Sequence, residues 1–208
     1  MIILFVLFES SSLLPNHFLC NIFKMNMSYT YNYKGVDDFI KQNFADEVEK
    51  AINYQIMFEL KASHAYMSLA AYYMRPEVAL ENVAKWFLKQ SDEEREHATG
   101  FIKYQNRRGG KVVLEDIKAS GKQEFGSLVE AFQYALELEK SNNEGLLRLH
   151  QISSENKDVD FCTLLEDKYL EEQTRSIEEI GRFITKLKRL GTGIGEDYFD
   201  KEIMECFS

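Results

Sequence analysis

The chain has 208 residues, with 34 acidic against 25 basic side chains and a formal net charge of −9. That length suits one domain with a sizeable core and is short for two. The acidic balance excludes a surface built to neutralise phosphates, and so a nucleic-acid partner, and points to cations instead.

Residues 1–37 read as an extension in front of a folded domain at 38–208. Ile2 to Phe8 is an unbroken apolar run of seven residues, too short to span a bilayer as a helix. It has the size of a signal-peptide core. Yet no Lys or Arg precedes it, and Glu9 with Ser10-Ser11-Ser12 gives no clear small-x-small cleavage site. Three readings stand: a secretory signal in residues 1–26, a disordered extension, or an over-extended reading frame whose natural start is Met25 or Met27. Cys20, Cys162 and Cys206 lack C-x-x-C spacing and cannot all pair within one chain. A reducing compartment is therefore expected, the cytoplasm, with secretion as the alternative.

From about residue 45 the pattern predicts four long amphipathic helices. The first runs from near Asp46 to Met74, with Ile52, Ile56, Leu60, Met67 and Ala70 on one face, and Pro76 breaks it. The second spans about Val78 to Arg108 and stops at Gly109-Gly110. Lys111 to Gly126 is longer than a tight helix–helix turn and can cross the length of a bundle. The third covers about Ser127 to Ser154 and the fourth about Asp160 to Leu190; Glu196 to Cys206 follows as one short helix. The expected fold is all-α: a four-helix bundle with a long crossover between helices two and three and a short fifth helix.

The predicted inward faces carry polar groups. In Glu94-Arg95-Glu96-His97 a carboxylate and an imidazole stand three residues apart, in line with Val83, Phe87, Phe101 and Tyr104. On a helix those positions share a face and can reach one ion. Glu59, Ser63 and Tyr66 lie in the stripe of the first helix, and Glu139 falls in the series Leu128, Phe132, Ala135, Asn142, Leu146. Gln173 lies between Tyr169, Ser176 and Ile180. Any one of these is most simply a satisfied core polar group; four, one per helix, call for an ion. Carboxylates and E-x-x-H pairs on facing helices are the known recipe for di-iron bundles.

At this point a resemblance becomes specific. The segments Ala51-Ile52-Asn53-Tyr54-Gln55-Ile56, Glu59-Leu60-Lys61-Ala62-Ser63, Phe87-Leu88-Lys89-Gln90-Ser91, Glu93-Glu94-Arg95-Glu96-His97-Ala98 and Gln105-Asn106-Arg107-Arg108-Gly109-Gly110 resemble eukaryotic ferritin. So do Leu138-Glu139-Lys140 and Tyr169-Leu170-Glu171-Glu172-Gln173, and the likeness covers about residues 38 to 203. It implies a heavy-chain-type subunit of a hollow 24-subunit iron-storage shell, alone or mixed with a second subunit type. Such a subunit oxidises Fe²⁺ with O₂ at a di-iron centre and deposits ferric mineral inside. By motif position Glu59, Glu94 and His97 hold one iron, and Glu94 bridges to a second held by Glu139 and supported by Gln173. Tyr66 lies beside them. Light-chain-type subunits lack the Glu and His of the second-helix motif, and both are present here. The secreted carrier with the same chemistry and the structural subunit with little oxidase activity are the alternatives.

One part departs from the family pattern. Its three-fold channels are lined by an acidic pair one turn apart near the start of the fourth helix, where this chain has Thr163 and Glu166. Asp160 stands a turn upstream to supply the missing charge, or belongs to an ordinary acidic helix start; His150 matches a further channel-lining position. Fewer ring carboxylates weaken the field that draws Fe²⁺ inward. Asp92, Glu93 and Glu96 read either as a cavity-facing patch for mineral nucleation or as solvated helix surface.

Overall fold

The computed structural model describes residues 40–118 and 122–204, so the readings made on residues 1–26 and on Cys206 lie outside the described residues. Within them the chain forms α1 (Asp46–Tyr73), α2 (Glu81–Arg107), α3 (Leu128–Glu155), α4 (Val159–Leu164), a π-helical turn (Leu165–Leu170), α5 (Glu171–Leu190) and α6 (Ile194–Ile203). α4, the π turn and α5 follow one another without a break and make the fourth rod of the bundle.

Side-chain pairs set the helix directions. Ser63 and Ser91 bridge α1 to α2 reciprocally, each hydroxyl donating to the other residue's carbonyl at 2.7 and 2.8 Å. These small residues let the two helices pack closely. α2 ends level with the start of α1, where Gln105 Nε2 donates to the Glu49 carbonyl at 3.2 Å. α3 starts level with the end of α1, where the Tyr73 hydroxyl reaches the Ser127 carbonyl at 3.3 Å. The connection between them must therefore travel the bundle's length. It is pinned to α1 on the way: Val113 N–H donates to Asn53 at 2.8 Å, and Glu115 N–H to the Met57 sulfur at 3.3 Å.

The stripe on α1 advances by alternate steps of four and three through Ile52, Ile56, Glu59, Ser63, Tyr66 and Ala70, all buried. Leu60 and Met67 sit one position off it. Leu60 is partly buried and still packs against the core, whereas Met67 is 48 % exposed, so for Met67 the expectation of an inward position does not hold. α2 begins at Glu81, three residues later than expected, because residues 74–80 turn back with Ala79 at φ +52. At its far end Gly109 takes φ +79, the left-handed geometry that glycine adopts without penalty.

The apolar core is in two pieces. One gathers Tyr66, Leu69, Tyr73, Trp86, Phe87, Phe132, Ile180 and Phe199; the other gathers Val48, Ile52, Ile56, Phe101, Tyr104, Phe161 and Tyr169. Between them lies a belt of buried polar side chains, among them Glu59, Ser63, Ser91, Glu94, Glu139, Asn142 and Gln173.

α6 closes one end by supplying a cap that α2 lacks and a second acceptor at the start of α3, which Ser127 already caps. Leu80 cannot cap α2; Asp200 does so in trans, one oxygen accepting from Asn82 and Val83 N–H at 2.9 Å each. Glu196 accepts from Leu128 N–H at 2.9 Å, at the start of α3. Asp200→Ala is expected to cost about 1 kcal/mol, the usual value of a lost N-cap. A thermal midpoint unchanged from the parent would show that α2 needs no such cap.

Candidate metal centre

Each rod presents polar atoms to the belt. Glu59 on α1 is fully buried, Glu94 on α2 nearly so, and the His97 side chain, one turn on, retains 14 % exposure. Glu59, Glu94 and His97 each offer one donor atom, all lying within 4.8 Å of one another. His97 Nδ1 is 3.6 Å from Glu94 Oε2, while Nε2 faces Glu172 Oε1 at 3.2 Å on the solvent side. The i, i+3 reading of this pair is what the backbone delivers.

Glu139 on α3 sits beside this triad in a cradle of its own. The Tyr66 hydroxyl donates to one carboxylate oxygen and the Gln173 amide to the other; the same Gln173 Nε2 reaches the Glu139 carbonyl at 3.0 Å. Gln55 and Asn142 complete the belt. Gln55 Nε2 donates to Glu59 at 2.7 Å and to the Asn142 side-chain oxygen at 2.6 Å, and Asn142 Nδ2 donates to the other Glu59 oxygen at 2.9 Å. Sequence reasoning gave no role to Gln55, Asn142 or Glu172. The signals were there in part: Gln55 stands one turn before Glu59, and Glu172 directly precedes Gln173. Glu172 reads as half of a solvated acidic pair until α2 is packed against it.

Electrostatics describe a site charged beyond what burial tolerates. Burial, then the neighbouring Glu94 charge, pushes Glu59 well above the ordinary carboxylate range. Burial likewise lifts Glu94 to about 8. Glu139 is raised by burial, with the Tyr66 and Gln173 hydrogen bonds opposing. Burial alone would lower His97, but the hydrogen bond and charge of Glu172, with the charge of Glu59, raise it. Three carboxyls and one imidazole facing a buried belt cannot all ionise alone; a divalent cation would resolve the conflict. Carboxylate oxygens with one imidazole nitrogen suit Fe²⁺ and hold the harder ferric ion better still.

The sign of these shifts gives a testable pH dependence. A group whose folded pKa is raised holds protons that the unfolded chain releases, so its stabilisation is lost as pH climbs to the folded value. Glu59, Glu94 and His97 all act in that direction. The ion-free protein is expected to lose stability between the ordinary carboxylate range and about pH 8. Saturating Zn²⁺ should abolish the loss; thermal midpoints across that range, with chelator and with Zn²⁺, check it.

The remaining candidates lie apart from the belt. His150 Nε2 pairs with Glu166 Oε1 at 2.6 Å on the surface. Thr163 is exposed, its hydroxyl turned back to the Val159 carbonyl at 3.0 Å. Asp160 is tied to the end of α2, accepting from the Tyr104 hydroxyl at 3.0 Å with Arg108 Nη1 at 3.4 Å. Its charge is therefore partly cancelled at the place where it was expected to replace the missing acid. Asp92 pairs with Arg95 at 2.8 Å, Glu93 accepts from Gln90 at 2.6 Å, and Glu96 is exposed.

The fourth rod carries a feature the periodicity does not reveal. Phe161, Leu165, Tyr169 and Gln173 are all buried although spaced by four residues. In an α-helix each such step overshoots a full turn by about 40°, so three steps would drift roughly 120° off the face. The π turn at Leu165–Leu170, with more residues per turn, absorbs the overshoot and keeps Gln173 pointing inward. Tyr169 stacks on Phe101 at 4.3 Å and meets the His97 ring edge-on at 5.6 Å. Opposite its hydroxyl stands Gly100, inside α2, where glycine costs about 1 kcal/mol relative to alanine.

Four long helices around a buried carboxylate and imidazole cluster define a cation-binding helical bundle. Comparison with known proteins makes the class specific: residues 49–190 match the ferritin-like domain of the ferritin family. The chain is 50 % identical over 165 residues to "Ferritin, middle subunit" of Aquarana catesbeiana, covering 78 % of this chain and 94 % of that protein. It is 49 % identical over 168 residues to "Soma ferritin" of Lymnaea stagnalis, covering 81 % and 97 % respectively. The chain belongs to the ferritin family and is an iron-storage protein. No helix among the described residues is long and apolar enough to cross a membrane.

Proposed function

We propose that this chain is a ferroxidase-competent, heavy-chain-type subunit that oxidises Fe²⁺ with O₂ and stores the product as ferric mineral inside a 24-subunit shell. The observation that carries the reading is the triad Glu59, Glu94 and His97, with donor atoms from three residues and two helices within 4.8 Å of one another. Glu59, Glu94 and His97 hold one Fe²⁺. Glu94 reaches across to a second, held by Glu139 with Gln173 at its side. Two irons deliver one electron each: O₂ + 2 Fe²⁺ + 2 H⁺ gives H₂O₂ + 2 Fe³⁺, with no one-electron reduced oxygen released.

The residues divide the work by charge and position. Carboxylates relinquish their protons as the cations enter, which places proton release inside the binding step. Tyr66, donating to Glu139, keeps that carboxylate oriented and can hydrogen-bond a ligand of the second iron. Gln173 is a neutral donor where the di-iron template has a further Glu, and Ser176 stands where it has a further His, so the second iron is held more loosely. Loose holding lets the ferric product leave for the cavity, where Asp92, Glu93 and Glu96 offer an acidic surface for nucleation.

His150, Thr163 and Glu166 line the inlet in this reading, at reduced negative field. The subunit works in the cytoplasm, alone or beside a second subunit type. The deciding experiment loads the purified shell with Fe²⁺ without air, then admits air while recording O₂ uptake and ferric absorbance. A fast phase of about two irons per subunit is expected. Oxidation no faster than in buffer would leave a storage subunit that depends on an active partner chain.

A further inference from the structure

An ideal Cβ built at Gly100 would lie 2.5 Å from the Tyr169 hydroxyl and 3.7 Å from the ring carbon that bears it. Only a residue without a side chain leaves room for that hydroxyl. A helix-interior glycine works against its own helix, so what it admits needs a reason. Tyr169 closes the π turn, its ring flat on Phe101 and edge-on to His97, and Gln173 follows one turn later. His97 is otherwise held on its outer side by Glu172, a side chain 42 % exposed.

We infer that Tyr169, admitted by Gly100, is a positioning residue: it fixes the imidazole of His97 and the π turn that aims Gln173 at Glu139. The inference rests on the proposed centre and concerns how the chain builds it. Tyr169 touches no reacting atom. It acts by leaving His97 one ring orientation, so that Nδ1 stays turned towards Glu94, and by keeping the helix wide where an α-helical turn would rotate Gln173 away.

The contact is specific enough for a double-mutant cycle. Gly100→Ala places a methyl group on the hydroxyl, displacing the ring and with it His97. Tyr169→Phe removes the hydroxyl and keeps the stacking, so the added Cβ then faces a ring carbon at an ordinary 3.7 Å. The readout is Co²⁺ binding to the assembled protein, followed by equilibrium dialysis and by the visible bands of the ion. The signal from Glu94→Lys/His97→Gly protein is subtracted to isolate the centre.

Gly100→Ala should weaken Co²⁺ at the centre by about tenfold or more and change its bands, as losing a ligand's orienting neighbour does. Tyr169→Phe should stay within about twofold of the parent, and Gly100→Ala/Tyr169→Phe should recover most of the lost affinity. Unchanged Co²⁺ binding in Gly100→Ala, whatever its thermal midpoint, would overturn the inference. So would a double variant as weak as Gly100→Ala. A parent protein with no Co²⁺ signal above the subtracted variant would remove the centre itself, a failure visible before any Gly100 variant is compared.

Discussion

Glu94→Lys combined with His97→Gly is expected to slow ferrous oxidation by about 100-fold or more while leaving the subunit folded and the shell assembled. Glu94 is buried beside Glu59 and Glu139, so its replacement must answer for two remaining carboxylates. A lysine ammonium does so. It places a fixed positive charge where the cation would sit, and an ion pair is the one form in which that burial is tolerable. His97→Gly removes the remaining α2 ligand at a helix cost of about 1 kcal/mol. Stopped-flow absorbance at equal iron loading gives the rate, and size-exclusion chromatography the assembly. Loss of assembly would mean that these residues hold the fold; an unchanged rate would place oxidation elsewhere.

The second large effect concerns stability at the end of the bundle remote from α6. Arg108, just beyond α2, pairs with Asp158 at 2.8 Å and donates to the Asn43 carbonyl at 2.7 Å, with its guanidinium over the Phe44 ring at 4.9 Å. Asp158 is 1 % exposed and caps α4 by accepting from Phe161 N–H at 3.3 Å. Arg108→Met leaves that buried carboxylate with the Phe161 N–H but without a cation, a change worth about 3–5 kcal/mol. Asp158→Asn keeps the cap and removes the charge. Adding it to Arg108→Met should therefore recover much of the loss. Hydrogen exchange of amides in residues 42–48 and 158–164 reads the effect locally: strong acceleration in the single variant, partial protection in the double. Equal exchange in both would show that the guanidinium acts by packing alone.

What the sequence disclosed, it disclosed through spacing. The alternation of fours and threes from Ile52 to Ala70 placed Glu59 and Tyr66 inside, and Leu128 to Leu146 did the same for Glu139. Gly109-Gly110 and the long crossover marked the end of the second helix and the way to the third. Periodicity fails where geometry departs from it. Nothing in Leu165-Glu166-Asp167-Lys168-Tyr169-Leu170 announces a π turn, because packing of Phe161, Leu165 and Tyr169 against Phe101 and Tyr104 widens the helix. Nor does the sequence show what Gly100 is for, because Tyr169, whose hydroxyl it admits, lies on another rod of the bundle. Asp160 illustrates the other limit: its i, i+3 relation to Thr163 is real, but Arg108, distant in sequence, decides where its charge is spent.

Splitting the apolar core around a polar belt has a mechanical consequence. The two ends are held by interlocked aromatic rings, which resist shear because every displacement opens a void. The middle is held by amide and carboxylate contacts that can trade partners, one for another or for an incoming ion, at nearly constant volume. A bundle built this way is stiff at its two ends and compliant across its middle. On the proposed function, a change of occupancy at the centre would be absorbed by the belt and would not strain the aromatic ends.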